Sequence, residues 1–139
     1  MIIAVDFDGT IVQDRYPEIG SEMPFATQTL RMLLEEGHQL ILWTVRQGKM
    51  LEEAVEWCAK RGVEFYAVNK DFPEENEKEN TTYSRKIKAD MFIDDRNIGG
   101  LPDWGVLYQM IHEQKTHEEI LLESLGKICE KPKKKWWQI

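Results

Sequence analysis

The stretch Ile2-Ile-Ala-Val-Asp-Phe-Asp-Gly-Thr10 is an apolar run that ends in two aspartates one residue apart. Side chains alternate between the two faces of an extended strand, so Asp6 and Asp8 share a face while Phe7 points to the other. Two like-charged carboxylates side by side repel each other unless a cation or a shared proton offsets the charge. The pattern therefore predicts a buried strand, broken at Gly9, with a divalent metal site at its end.

A second acidic pair, Asp94-Asp95, closes another short apolar stretch, Met91 to Ile93. Oxygen ligands from two strand ends suit Mg²⁺, which binds through one or two carboxylates and keeps waters that a substrate phosphate can displace. Acidic residues after a strand are also common in turns and helix caps, so either pair alone carries little weight. Together the two pairs favour Mg²⁺ as the cofactor and phosphoryl chemistry as the reaction class.

A third apolar run, Gln39 to Thr44, ends in a hydroxyl residue, and Arg46 follows two positions later. A hydroxyl donor and a guanidinium fork at a strand tip are suited to hold the oxygens of a phosphate. Lys86 and Lys88 lie just upstream of the second acidic pair, where an ammonium group can neutralise crowded carboxylates. Taken singly, Thr44 also fits a helix cap and the lysines fit a solvated surface.

Apolar strands alternate with amphipathic segments along the chain. This alternation predicts a parallel sheet covered on both faces, with the ligand at the carboxyl ends of the strands. We expect an α/β fold, a three-layer doubly wound (Rossmann-like) parallel sheet of about five strands. Residues 108 to 128 are predicted to be helical, with a break near Lys115 to His117. The predicted strands are residues 2 to 7, 39 to 44, 64 to 68, 90 to 94 and 105 to 108, and the predicted helices are residues 25 to 37 and 49 to 61.

In chain order, Asp6-Phe-Asp8-Gly-Thr, Thr44, Lys86 and Asp94-Asp95 resemble the four motifs of the haloacid dehalogenase superfamily. The resemblance covers roughly residues 1 to 110. Within it, the stretch Ser84 to Asn97 is similar to small, uncharacterised phosphatase-like members from bacteria. The dehalogenases of the superfamily lack the second aspartate, so the presence of Asp8 favours phosphoryl over carbon–halogen chemistry.

The resemblance implies roles for the four aspartates. Asp6 is the nucleophile that forms an aspartyl phosphate, and Asp8 is the acid and base of the phosphatase branch. The metal ligands are the carboxylate of Asp6, the backbone carbonyl of Asp8 and the Asp94-Asp95 pair. Asp95 is favoured as the direct ligand, with Asp94 acting through a metal-bound water.

The resemblance also implies how the phosphate is held. Thr44 binds its oxygens, and Lys86 stabilises the nucleophile and the transferring group. Lys88 is the alternative for that role, because alternation along an extended segment puts both lysines on one face. The expected substrate-binding residues are Gly9, Thr10, Arg46, Lys88 and Asn69.

Superfamily members often carry a cap domain that closes over small substrates. Here the intervals between motifs, residues 11 to 43 and 45 to 85, are already filled by predicted elements and a polar loop, so no cap domain is expected. In the superfamily this implies an open site, or a site closed by a neighbouring subunit of a homo-oligomer. Specificity would then depend on two loops, residues 13 to 23 and 69 to 85.

Length and composition fit one small enzyme domain. We expect a single domain over residues 1 to 128, with the motifs within residues 1 to 110, followed by a basic, tryptophan-containing tail from 129 to 139. The net charge of -7 argues against a nucleic-acid partner and favours a phosphorylated small molecule as substrate. No stretch approaches the length of a membrane span and no signal peptide is visible, so the expected location is cytoplasmic.

Other classes fit part of the pattern. A receiver-like signalling module also uses an acidic pair, an aspartate, a hydroxyl residue and a lysine, but its adjacent acidic pair lies on the first strand, whereas here the adjacent pair comes last. A non-catalytic phospho-ligand binder needs neither Asp6 as nucleophile nor Asp8 as acid. Phosphotransferases and phosphomutases share the same motifs and stay open as alternatives. The leading prediction is a Mg²⁺-dependent phosphatase that hydrolyses a phosphate monoester through an aspartyl phosphate.

Overall fold

The computed structural model describes residues 1 to 76 and 84 to 126. The chain divides into two compact units, Met1–Leu101 and the residues from Pro102 onwards. The second unit contains α3 (Trp104–Glu113) and α4 (His117–Ser124). In chain order, the first unit contains β1 (Ile2–Val5), β2 (Val12–Arg15), β3 (Glu18–Glu22), α1 (Ala26–Glu35), β4 (Gln39–Leu42), α2 (Gly48–Ala59), β5 (Ala67–Val68) and β6 (Met91–Ile93).

Strand β1 is an inner strand of a four-stranded parallel sheet with the order β5-β4-β1-β6. Its residues Ile3 to Val5 are almost completely buried, because an inner strand of a parallel sheet is covered on both faces and cannot alternate apolar with polar side chains. The sheet grows from β1 to β4 to β5, and the chain then returns to the other side of β1 to form β6. Ligands of open α/β sheets bind where the strand order reverses in this way, at the carboxyl ends of β1 and β6.

Helices α1 and α2 connect β1 to β4 and β4 to β5. Such parallel crossovers are right-handed in nearly all proteins, which puts both helices on the same face of the sheet. Phe7, two residues after the end of β1, points to that face, and its ring contacts Trp57 of α2 edge-on with 5.7 Å between the ring centres. By alternation, Asp6 and Asp8 are directed away from the face that these helices cover.

The opposite face of the sheet is contacted by the described end of the connection between β5 and β6. Ile87 from this connection joins Ala4, Ile41 and Ala67 in one buried apolar cluster. The segment predicted as a polar loop, residues 69 to 85, is thus followed by a residue that belongs to the core.

The predicted strand at residues 105 to 108 is wrong, because these residues lie in α3. A short apolar run fits a buried strand and a buried helix equally well. The deciding feature is Asp103, whose side chain accepts a hydrogen bond from the Val106 N–H and caps the helix. Within residues 1 to 76 and 84 to 126, the parallel sheet therefore has four strands.

The predicted break in the C-terminal helical stretch is confirmed. Helix α3 ends at Glu113, and Thr116 begins α4 with a capping box in which its side chain and that of Glu119 bond to each other's backbone N–H groups. The predicted domain limits of 1 to 128 stay a prediction, and the tail from 129 to 139 lies outside the described residues.

Residues 12 to 22, predicted as part of a loop, form an antiparallel hairpin of β2 and β3. Most side chains of both strands are exposed or half-buried, so neither strand shows the apolar alternation that predicts a strand.

The predicted α/β class and the parallel sheet flanked by helices are confirmed, in a layout consistent with a Rossmann-like fold. Among the described helices, none has both the length and the apolar character that a membrane span requires.

Candidate active site

Three aspartates meet at the carboxyl ends of β1 and β6. Val5 and Ile93 are paired in register, and the Asp6 N–H donates to the Ile93 carbonyl at 2.9 Å. This pairing brings the residues that follow each strand together, so that Asp6, Asp94 and Asp95 each offer a carboxylate oxygen within 4.8 Å of the others. Three hard oxygen donors at this spacing fit a cation such as Mg²⁺. The predicted fourth ligand, the backbone carbonyl of Asp8, stays a prediction.

Thr10 contacts this cluster from within the core. Its hydroxyl is completely buried, and Oγ1 lies 3.3 Å from Asp6 Oδ2 and 3.3 Å from Asp95 Oδ1. The Asp95 N–H donates to the same oxygen at 3.1 Å. One hydroxyl proton serves one carboxylate at a time, so Thr10 positions the two aspartates and leaves their charge largely uncompensated.

Gly9 is required by the close approach of Asp95. Its φ of +83° lies in the left-handed region, and a Cβ built there would overlap the Asp95 carboxylate. The sequence prediction placed Gly9 and Thr10 with the substrate, whereas the contacts that the structure gives them are to the carboxylate cluster.

We predict that Gly9→Ala lowers the free energy of unfolding by about 2 to 4 kcal/mol, because backbone strain and overpacking act together. Gly37→Ala is the matched control, since Gly37 has a φ of +90° with no heavy atom within 4 Å of its added Cβ. The control variant has the backbone strain without the overlap, and we expect its free energy of unfolding to be lower than that of the wild type by about 1 kcal/mol. Urea unfolding of both variants measures the difference, and equal costs would contradict a close packing of Gly9 against Asp95.

Crowding of the carboxylates alters the ionisation of Asp6. Burial, followed by the charge of Asp94, raises the pKa of Asp6 from 3.8 to about 7, against the lowering effect of a hydrogen bond from the Phe7 backbone. A cation at this position would reverse the shift by stabilising the charged form. Metal and proton therefore compete for the same carboxylate.

This shift predicts a pH dependence of stability in the metal-free protein. The pKa of Asp6 is higher in the folded than in the unfolded chain. The stability that protonated Asp6 contributes to the folded protein is therefore fully present below pH 4 and is lost as the pH rises through 7. Asp6→Asn does not titrate and should be the more stable protein at pH 8 in the presence of a chelator. We expect its Tm to exceed that of the wild type by at least about 3 °C, the shift that roughly 1 kcal/mol causes at this size.

Thermal unfolding of both proteins between pH 5 and pH 8 checks this prediction. Adding Mg²⁺ at pH 8 should raise the Tm of the wild type and leave that of Asp6→Asn nearly unchanged. Parallel pH profiles in the chelator would contradict the assigned environment of Asp6.

Asp8 is bound to Arg46. Asp8 Oδ2 accepts from Nε of Arg46 at 2.8 Å and Asp8 Oδ1 from Nη2 at 2.7 Å, which is a two-pronged contact. The Arg46 side chain is fully buried and that of Asp8 is 10% exposed. The hydrogen bond to Asp8 raises the pKa of Arg46 further above its ordinary range.

Arg46 also binds the hairpin. Nη1 donates to the Pro17 carbonyl at 3.1 Å and Nη2 to the Glu18 carbonyl at 2.9 Å, while the guanidinium lies 5.3 Å from the centre of the Tyr16 ring. These contacts are to Asp8 and the hairpin, and the expected phosphate contact of Arg46 stays a prediction. With no exposed surface and its donors directed to Asp8 and the hairpin turn, Arg46 connects the first motif to β2 and β3.

Thr44 occupies the predicted position. It lies two residues after the end of β4, where its Oγ1 accepts from the Arg46 N–H at 3.1 Å and its own N–H donates to Asn69 Oδ1 at 2.8 Å. Thr44 lines a cavity of about 240 Å³ at the carboxylate cluster. The complete lining is Asp6, Asp8, Trp43, Thr44, Val45, Asp94 and Arg96.

Arg96 and Trp43 are lining residues that the sequence analysis did not assign. Arg96 follows the second acidic pair, and its backbone N–H donates to Asp94 Oδ1 at 2.9 Å. Each of the two residues directly adjoins a motif position, and that adjacency is the signal that could have identified them.

The two predicted lysines lie outside the carboxylate cluster. Lys86 Nζ is 5.3 Å from the centre of the Phe92 ring, whose side chain shares a strand face with Asp94. The Lys88 backbone N–H donates to Asp71 Oδ1 at 2.6 Å. In the part of the chain that the structure describes, neither ammonium forms an ion pair with Asp6, Asp94 or Asp95. The role of either lysine stays a prediction, and the contact with Phe92 brings Lys86 to the face of β6 that carries Asp94.

The fold and the cluster define an α/β protein with three aspartates, at the carboxyl ends of a parallel sheet, that could hold a metal ion. No protein-family model matches the chain, and no curated protein matches it. A solved structure does: the conserved protein coded by a locus of Bacteroides thetaiotaomicron is 62% identical, with a TM-score of 0.80. The match covers 86% of this chain and 96% of that one. The chain therefore belongs to the family of this conserved protein.

Proposed function

We propose that this protein is a Mg²⁺-dependent phosphatase of the haloacid dehalogenase superfamily that hydrolyses a phosphate monoester through an aspartyl phosphate. The observation that carries the proposal is the meeting of Asp6, Asp94 and Asp95 at the carboxyl ends of two adjacent parallel strands. Asp8 and Thr44 line the cavity at this cluster, so the candidate nucleophile, acid and phosphate-binding hydroxyl face one space.

The metal ligands in this proposal are Asp6, Asp94 and Asp95. Bound Mg²⁺ supplies positive charge that offsets the negative charge on the phosphate oxygens and lowers the pKa of Asp6, so that its carboxylate is available as a nucleophile. An Asp6 oxygen attacks phosphorus as the bond from phosphorus to the leaving oxygen breaks. Water then attacks the aspartyl phosphate, which releases inorganic phosphate and restores the Asp6 carboxylate.

Asp8 supplies the proton in this scheme. It protonates the leaving oxygen in the first step and takes a proton from water in the second. Both Asp8 oxygens accept hydrogen bonds from Arg46 in the structure. Each Asp8 oxygen keeps a second lone pair, so Asp8 can exchange the proton there while the guanidinium orients the carboxylate and, through its bonds to the hairpin turn, connects it to β2 and β3.

The proposed substrate is a phosphorylated small molecule, and the proposed site has no cap domain over it. The net charge of -7 supports this class of substrate over a nucleic acid. Without a cap, specificity comes from the hairpin, from the connection after β5, or from a neighbouring subunit. The proposed location of such a metabolic enzyme is the cytoplasm.

Phosphate release tests the proposed function. A broad panel of phosphorylated metabolites and an aryl phosphate is incubated with the protein in Mg²⁺, and parallel samples contain a chelator or Ca²⁺. We expect release from a subset of the panel with Mg²⁺ and none with the chelator. Absence of release from every compound by folded, Mg²⁺-binding protein would contradict the proposal.

One observation favours a second candidate, a phospho-ligand binding module without turnover. Asp8 forms a two-pronged ion pair with a buried arginine, so its carboxylate already has a structural role that needs no proton transfer. The same panel separates the two functions, because a binding module would retain phosphorylated ligands in equilibrium dialysis without releasing phosphate.

A further inference from the structure

A second cavity lies beside the carboxylate cavity at the same edge of the sheet. Its volume is about 510 Å³, and Trp43 and Thr44 line both cavities. The strand order explains the arrangement, because the carboxylates follow β1 and β6 while Trp43 and Asn69 follow the neighbouring strands β4 and β5. A phosphate at the first cavity therefore leaves the rest of its molecule room to extend past Thr44 into the second.

Asn69 fixes the backbone of Thr44, one of the two residues that line both cavities. Its backbone N–H donates to the Leu42 carbonyl at 2.8 Å, and its Oδ1 accepts from the Thr44 N–H at 2.8 Å. A left-handed φ of 54°, which asparagine tolerates better than most residues, allows both contacts. Asn69 thus holds the Thr44 backbone in place, and it also lines the second cavity.

The two cavities carry opposite charge. Among the residues that the structure describes, three carboxylates and one arginine line the first, whereas Lys70, Arg85 and one carboxylate, Glu75, line the second. Glu75 already accepts a hydrogen bond from the Asp71 N–H at 2.8 Å. The second cavity therefore suits an anionic group, and the half-buried Trp43 ring offers an apolar surface for the carbon atoms between that group and the phosphate.

We propose that the second cavity binds the alcohol part of the substrate and that this part carries an acidic group, a carboxylate or a second phosphate. The inference rests on the proposed function, because it takes the first cavity as the site of the transferred phosphate. Lys70 and Arg85 bind the acidic group, and Asn69 and Gln47 donate hydrogen bonds to polar groups beside it.

Matched pairs of phosphate monoesters test this assignment. Phosphoserine is compared with phosphoethanolamine, and para-carboxyphenyl phosphate with its neutral para-carbamoyl analogue. Wild-type kcat/KM should favour the acidic member of at least one pair by about tenfold or more, the usual effect of a charge-assisted contact. Lys70→Gln/Arg85→Gln should remove the preference and leave kcat/KM for the neutral member within about twofold.

Lys49→Gln/Lys60→Gln is the matched control, because it removes two positive charges from exposed positions, one near the start of α2 and one directly after its end, and should keep the preference. Arg85→Gln alone, at an exposed position, repeats the test if the double variant unfolds. Equal kcat/KM values for both members of every pair, or an equal loss on both members in the variant, would overturn the assignment.

Binding separates this proposal from the proposed function. Calorimetric titration of each pair into Asp6→Asn, with and without the two cavity substitutions, needs no turnover. Tighter binding of the acidic member that is lost with the cavity substitutions supports the cavity assignment even if the wild type releases no phosphate. Equal binding of both members refutes the assignment even if the wild type is an active phosphatase.

Discussion

Asp6→Asn should reduce Mg²⁺-dependent phosphate release by about a thousandfold or more, because the variant loses the attacking oxygen as well as a metal ligand. Steady-state release at several Mg²⁺ concentrations measures the loss. If Asp6 were a metal ligand alone, excess Mg²⁺ would restore much of the rate, whereas loss of the nucleophile persists at saturation. Activity within tenfold of the wild type at saturating Mg²⁺ would contradict the assigned role.

Asp90→Asn is the matched control for this change. Asp90 accepts a hydrogen bond from the Ile2 N–H at 2.7 Å, at the opposite end of the same two strands, and an asparagine oxygen can take its place. The control makes the same chemical change away from the carboxylate cavity, so we expect its phosphate release to stay within about twofold of the wild type.

Arg46→Met should lower the free energy of unfolding by about 3 to 5 kcal/mol, the usual cost of removing one partner of a buried ion pair. The substitution leaves the Asp8 carboxylate and the Pro17 and Glu18 carbonyls without the donors that now satisfy them. Urea unfolding measures the cost. Arg31→Met is the control, because Arg31 is an exposed arginine whose Nη1 donates to one carbonyl, that of Arg61, and its loss should cost less than about 1 kcal/mol.

A double-mutant cycle tests whether this cost comes from Asp8. Asp8→Asn/Arg46→Met removes both charges, so the double variant should be clearly more stable than the sum of the single effects predicts. Additive effects, or a cost of Arg46→Met no larger than that of Arg31→Met, would contradict the buried pair as the connection between the first motif and the hairpin.

The parts of the fold that the sequence predicts are those with a strong hydrophobic pattern. Strands were predicted from the largely apolar runs of β1, β4 and β6, and helices from the apolar stripes of α1 and α2. Each of these patterns fits only one type of element. The run at residues 105 to 108 is too short to separate strand from helix, and there the side chain of Asp103 decides for a helix. The hairpin at residues 12 to 22 has mostly polar strands, so its formation depends on contacts made by a residue far along the chain.

The same distinction applies to the candidate site. Asp6, Asp94 and Asp95 could be predicted to meet, because the carboxyl ends of parallel strands lie at one edge of a sheet. The partner of Arg46 could not be predicted, because a guanidinium next to a phosphate site and one buried against Asp8 have the same sequence signature. Alternation puts Lys86 and Lys88 on the same face, so the sequence alone could not choose between them. The contact of Lys86 with Phe92 is a tertiary contact that the alternation does not predict.

Trapping of the covalent intermediate tests the central claim most directly. The protein is mixed with its best substrate and Mg²⁺, quenched and treated with borohydride, which reduces an acyl phosphate to an alcohol and spares free carboxylates. Trypsin then releases residues 1 to 15, which contain Asp6, Asp8 and Asp14. We predict that mass spectrometry finds homoserine at position 6. Homoserine at another position, or rapid phosphate release with no reduced aspartate, would contradict the mechanism.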